Sequence, residues 1–155
     1  MRTYLVAAAL LALLLPVVAA AKGPASAMIT GPGLGRALAV QGDGELPGTA
    51  LGTLTTASGF FPQVFGQTPD PTLRQRPAGT LGPRYVATYL VPGPNGSSSR
   101  LVQHLYPYAK PVALSYTKPG QHVWEGQLTH GGWFRATSAL KRTLMRLGLP
   151  ARAPR

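Results

Sequence analysis

The run "RYVATYLV", residues 84–91, constrains this chain more than any other. Tyr85, Ala87, Tyr89 and Val91 alternate with Val86, Thr88 and Leu90. That is the period of two of a β-strand, filled with the β-branched and aromatic residues that suit a pleated, half-buried surface. A second run, "RLVQHLYPY", sets Leu101, Gln103 and Leu105 against Val102, His104 and Tyr106. Between the two lies "PGPNGSSS", in which Asn95-Gly96 is turn chemistry, so a hairpin is predicted. A third run, "VALSYT", alternates Val112, Leu114 and Tyr116 and closes at the Lys118-Pro119-Gly120 turn. Strands joined by turns pair antiparallel, and an antiparallel sheet has to bury at least one face. The rest of the chain must supply the cover.

Two segments can do so. From Thr49 to Phe61, Leu51, Leu54 and Phe61 recur at helical spacing, which predicts a short amphipathic helix ending near Gly59. In "ATSALKRTLMRLGLP", Leu140, Leu144 and Leu147 form one stripe and Lys141, Arg142 and Arg146 fall on the other side. Thr137 or Ser138 can cap its start, and Gly148 followed by Pro150 can stop it. Upstream, Met28–Thr30 and Ala37–Val40 flank a Gly-Pro-Gly turn and read as two short strands. The expected architecture is α+β: a small antiparallel sheet, a three-strand meander plus N-terminal strands, packed by two short helices on one face. The proline-rich stretch "GQTPDPTLRQRPAGTLGP" reads as a long surface loop carrying Arg74 and Arg76.

The first residues have a different character. Arg2 precedes an uncharged apolar run from Tyr4 to Val18, with Pro16 and small residues after it, the pattern of an export signal. The run is about 15 residues, shorter than the roughly 20 that a spanning helix needs, so an uncleaved anchor through residues 4–18 is the alternative. Two A-x-A motifs offer cleavage sites: Ala19-Ala20-Ala21 and Ala25-Ser26-Ala27. Because Met28-Ile29-Thr30 begins a strand, the later cut is expected, giving a signal peptide over 1–27, a single domain over 28–150 and a basic tail over 151–155. The alternative cut follows residue 21. A secreted or otherwise extracytoplasmic location follows from either cut.

The chain contains no cysteine. In an exported protein that excludes disulfides, thiolate metal sites and a lipid anchor on an N-terminal cysteine, so the core alone must hold the domain. The formal net charge is +11, and removal of residues 1–27 takes away only Arg2 and Lys22 from the cations and none of the four acids. So basic a chain is expected to meet anionic envelope polymers, lipid head groups or an acidic protein. An export signal and the lack of any recognised nucleic-acid motif argue against DNA or RNA. Asn95-Gly96-Ser97 is formally a glycosylation sequon, but the Ala-, Gly-, Pro- and Arg-rich composition points to a bacterial gene.

The residues closest to chemistry lie in "QHVWEGQLTHGGWFRA", which holds His122, Glu125 and His130 and both tryptophans. As a catalytic or metal-dependent set these three are the rival reading. On a strand, however, His122 and His130 face away from Glu125, and the zinc-binding H-E-x-x-H spacing is absent. No G-x-S-x-G marks a nucleophile, and "GPGLG" lacks the G-x-G-x-x-G of a dinucleotide loop, so no metal or cofactor is expected. Two binding surfaces are candidates instead. One is the basic set Lys141, Arg142, Arg146, Arg152 and Arg155. The other is an aromatic platform of Tyr85, Tyr89 and Tyr106, should these face solvent. Trp133-Phe134, after the Gly131-Gly132 bend, and Trp124 are expected to anchor the C-terminal helix.

Taken together, "ITGPGL", "LGPRYVATYLV", "HLYPYAKP" and "GGWFRATSALKRTLMRLGLP" resemble the skeleton of small secreted actinobacterial proteins that carry a signal peptide and have no assigned function. The resemblance implies an exported bacterial α+β domain and supplies no activity, ligand or site residue. The expected role is a secreted or envelope-associated, non-catalytic binding or accessory module. The alternative is a small hydrolase or metal-dependent enzyme.

Overall fold

The computed structural model describes residues 23–155. Both the anchor reading of residues 4–18 and the cleavage point after residue 21 fall outside the described residues, as does most of the signal reading over 1–27. Among the described residues no helix is long and apolar enough to cross a membrane.

The fold is α+β. The meander forms as the alternation predicts: β3 (Tyr85–Pro92) and β4 (Ser98–Tyr106) pair antiparallel from Tyr85↔Leu105 to Pro92↔Ser98, and β5 (Leu114–Thr117) joins β4. Asn95 at φ 56° and Gly96 at φ 73° make the hairpin bend, a backbone region that asparagine and glycine tolerate best. On the other flank β1 (Ser26–Thr30) lies between β3 and β2 (Leu38–Gln41), antiparallel to each. After the small β6 (His122–Val123) and β7 (Gln127–Leu128) hairpin, β8 (Gly132–Arg135) pairs with β5. The main sheet therefore has six strands in the order β2-β1-β3-β4-β5-β8.

Three helices cover one face, one more than the sequence suggests. Helix α1 (Ala50–Ser58) starts where the Thr49 hydroxyl accepts the Gly52 N–H at 2.9 Å. It ends at Gly59, left-handed at φ 68°, and α2 (Phe60–Phe65) restarts the chain in a new direction. A side chain at Gly59 would meet the Phe134 ring at 2.4 Å, so both the dihedral and the space call for glycine. Helix α3 (Ser138–Leu147) stops at Gly148, whose N–H donates to the Leu144 and Met145 carbonyls. Its start has no side-chain cap, contrary to the expectation for Thr137 or Ser138. The Ser138 hydroxyl instead accepts from Arg142 Nη1 at 2.8 Å.

Leu51, Leu54, Phe60, Val64, Leu140 and Leu144 from the helices pack on Ile29, Tyr85, Tyr89, Leu101 and Leu105 from the sheet. Here the aromatic-platform expectation is corrected. Tyr85 and Tyr89 are both 0% exposed, because the face carrying residues 85, 87, 89 and 91 is the one the helices cover. Their hydroxyls are satisfied inside: Tyr85 donates to the Pro32 carbonyl at 2.8 Å, and Tyr89 to Gln103 Oε1 at 3.0 Å. Burial raises the pKa of both.

Beneath the α1–α2 junction lies a polar network in an otherwise apolar core. Gln63, 0% exposed, donates from Nε2 to the Gly132 carbonyl at 2.7 Å. Its Oε1 accepts from Gln103 Nε2 at 2.6 Å and from the Thr117 hydroxyl at 3.1 Å. Gln103 Nε2 also reaches the Ser58 carbonyl at 3.1 Å, where the Ser115 hydroxyl donates at 2.6 Å. Buried polar groups persist when paired in this way, and the pairing ties the helix junction to β4, β5 and β8.

Candidate functional site

With three helices on one face, the other face of the main sheet is open. Met28 is 52% exposed, Leu90 37% and Val102 36%, on neighbouring strands of that face. Register defines one continuous row across it: Thr30 opposite Val86, Val86 opposite His104, His104 opposite Tyr116 and Tyr116 opposite Trp133. With strands about 4.8 Å apart, such a row over five strands spans roughly 19 Å.

The end of that row is aromatic. The centroids of His104 and Tyr116 are 6.1 Å apart, those of Tyr116 and Trp133 4.8 Å, and those of Trp133 and Tyr106 5.7 Å. Tyr106 is buried by Leu81, Ala109 and Leu114, while His104, Tyr116 and Trp133 remain half-exposed. An aromatic surface therefore exists, but its members are His104, Tyr116 and Trp133 rather than Tyr85 and Tyr89. Sequence alternation separates two faces and does not say which one helices will cover. The expectation that Trp133 seats the C-terminal helix is corrected for the same reason. Residues 133 and 134 point to opposite faces, so Phe134 alone goes under the helices, against Gly59. Trp124, at φ 45° in the β6–β7 turn, stacks on Phe65 of α2 with centroids 5.5 Å apart and does not reach α3 in this way.

Cations surround the row. Arg100 lies on the open face opposite Leu90, and Arg135 opposite Leu114. Burial, followed by the positive charge of Arg84, lowers the pKa of His104. Burial likewise raises that of Tyr106, against the opposing pull of Arg84 and Arg76. Among the described residues no lysine or arginine is paired with a carboxylate; the ionic contact present is between His130 and Asp70.

That contact shapes a groove beside the row. The loop after α2 lays Leu73 along the outer edge of β8, where its N–H and C=O each bond Trp133 at 2.8 Å. The groove of about 340 Å³ between them is lined by Asp70, Arg74, Tyr116, Pro119 and His130, among others. Asp70 accepts the Thr72 N–H at 2.8 Å on one oxygen and His130 Nε2 at 2.8 Å on the other. These hydrogen bonds, the Thr72 backbone first, hold its carboxyl below the ordinary value.

The histidine–glutamate set does not assemble around one point. His122 is exposed on β6 opposite Leu128, Glu125 is exposed in the turn that follows, and the carboxylate partner of His130 is Asp70. Among the described residues no three His, Cys, Asp or Glu side chains converge as metal ligands. Among the described residues no serine or threonine hydroxyl bonds His130.

Of the basic set, two members already have partners. Lys141 Nζ sits 4.8 Å above the Tyr108 ring, and Arg142 bonds Ser138. Arg146, Arg152 and Arg155 are exposed. The tail is laid against the domain: the Tyr108 hydroxyl donates to the Pro150 carbonyl, and Pro154 packs beside Gly33. Burial, then the neighbouring Tyr85, pushes the Tyr108 hydroxyl up to about 12.

Sequence reasoning missed Trp133 as a surface residue, Arg84 as the cation beside His104, and Asp70 as the partner of His130. The alternation in "GGWFRA" could have signalled the first; the last is a contact across 60 residues of chain that no local pattern encodes. The chain matches no family model, no curated protein and no solved structure.

Proposed function

We propose that this is a non-catalytic binding module, exported to the cell envelope or beyond it, as the N-terminal signal pattern suggests. Its ligand class is an anionic polymer of sugar rings. The observation that carries the reading is the half-exposed row His104, Tyr116 and Trp133 on the uncovered sheet face, with Arg74, Arg76, Arg84 and Arg135 near it and without carboxylate partners. Flat rings offer apolar area to the C–H faces of pyranoses with little loss of side-chain freedom, and unpaired guanidinium groups attract and fork onto carboxylates. The open sheet suits an extended chain lying along the row. A lipid head group would use the charge but not the rings, and an acidic peptide likewise.

The test is retention on immobilised polygalacturonate, compared with neutral dextran and with polyglutamate, which carries charge without rings. Polygalacturonate should hold the protein at least ten times more tightly than either control, and the retention should fall with salt. Trp133→Ala and Arg84→Glu should each remove most of it in protein whose melting shows it folded. Equal retention on polyglutamate, or folded Trp133→Ala binding as the parent does, overturns the reading.

A further inference from the structure

We propose that the exported chain is processed after Ala21, so that the mature protein begins at Lys22, and that the second A-x-A motif, Ala25-Ser26-Ala27, is a structural element and no cleavage site. The inference rests on the export reading above and concerns which of two similar motifs a signal protease uses. The step is hydrolysis of the Ala21–Lys22 peptide bond: water supplies the hydroxyl that completes the Ala21 carboxyl and the proton that completes the Lys22 amine.

Gly23 and Pro24, which lie between the two motifs, belong to the fold. Gly23 and Pro24 are buried, and Ala27 is 3% exposed within the core. Their backbone is paired on both sides. Ala25 N–H donates to the Leu90 carbonyl at 2.9 Å, the Gly42 N–H donates to the Ala25 carbonyl at 3.0 Å, and the Gly44 N–H donates to the Pro24 carbonyl at 2.9 Å. Ser26 is opposite both Gln41 and Leu90, and Ala27 opposite both Val40 and Tyr89. A signal protease meets the chain unfolded, so burial does not shield Ala27 from it. What decides is the product. Cleavage after Ala27 would leave an interior strand, with neighbours on both edges, without its first two residues. Paired groups of β2 and β3 would then be left open, a loss the core cannot replace. Cleavage after Ala21 leaves every one of these pairs in place. The preference for the later cut, drawn from where the strand begins in the sequence, is thereby reversed, because β1 starts at Ser26 and not at Met28.

The experiment is N-terminal sequencing and intact-mass measurement of the full chain after expression in a secreting bacterium. A first residue of Lys22 is expected, and any other first residue in the exported protein overturns the inference. A product that keeps Met1 and stays in the cytosolic fraction overturns the export reading itself, which separates the two failures. Two variants sharpen the result. Ala21→Phe spoils the first motif and should accumulate uncut precursor. Ala25→Leu, whose exposed side chain can change without touching the core, spoils the second motif and should be processed at the same bond as the parent. Blocked processing in Ala25→Leu would overturn the proposal.

Discussion

Replacing Gln63 by leucine tests whether the buried polar network holds the helix junction on the sheet. Leucine approximates glutamine in size, so the change is chiefly the loss of one carbonyl and one amide. Two groups are then orphaned. The Thr117 hydroxyl, 1% exposed, loses the Oε1 it donates to at 3.1 Å, and the Gly132 carbonyl loses the donor at 2.7 Å. Gln103 Nε2 loses its 2.6 Å acceptor on Gln63 but, like the Ser115 hydroxyl, keeps the Ser58 carbonyl. Each buried group left unpaired costs about 1–3 kcal/mol, and a buried apolar side chain in place of the amide recovers part of it. A net loss of about 3 kcal/mol is expected, a large fraction of the roughly 5–15 kcal/mol that holds a domain of this kind. Urea denaturation followed by tryptophan fluorescence reads it as a lower midpoint at unchanged slope. The companion variant Thr117→Val costs about 1 kcal/mol alone but should restore about 1 kcal/mol in the Gln63→Leu background, where its hydroxyl has no partner. A cost below about 1 kcal/mol for Gln63→Leu, or strict additivity in the double variant, would refute the reasoning.

Gly59→Ala combines a left-handed backbone with a Cβ 2.4 Å from the Phe134 ring, and should cost about 2–4 kcal/mol by the same assay, from the dihedral and from overpacking. In Gly59→Ala/Phe134→Leu the steric part should be relieved; no relief would mean the ring is not the obstacle. His104 has its pKa lowered from the ordinary histidine value of about 6.5 by burial and by Arg84. The unfolded chain therefore binds a proton first as pH falls: stability is complete above about pH 6.5, declines below it, and levels off under the lowered folded value. His104→Gln should flatten that decline in melting temperature, and an unchanged profile would show that another group is responsible. Asp70 acts at lower pH, where the stability from its depressed pKa is lost as pH falls through the folded value. Asp70→Asn should abolish that acid-limb component.

The sheet was legible because alternation is a local property. The meander lies where residues 85–117 place it, and the C-terminal helix stripe of Leu140 and Leu144 is buried as its periodicity requires. What was hidden depends on contacts between distant segments. The same alternation in β3 is compatible with either face being covered, so Tyr85 and Tyr89 could be drawn as a platform although they are core. The extra helix after Gly59 follows from Phe134 occupying the space beneath, 75 residues further along by number. His130 finds Asp70 only because the loop after α2 returns to the edge of β8. The candidate surface was half visible: the sequence supplied aromatic residues and cations, while the register alone shows that Tyr116 and Trp133 stand side by side.

Strand β1 is drawn from the beginning of the chain yet sits inside the sheet, held on one edge by β2 and on the other by β3. Its second edge cannot close until Tyr85–Pro92 is free to pair with it. A polypeptide emerging from a ribosome N-terminus first can close the β1–β2 ladder early but has no early fragment that completes the sheet, since the ladder of β1 with β3 waits on residues synthesised much later. Such topology delays closure of the sheet until most of the chain is present. The placement of one strand thus makes the closing of the sheet a late event, tied to residues about 60 positions downstream of β1.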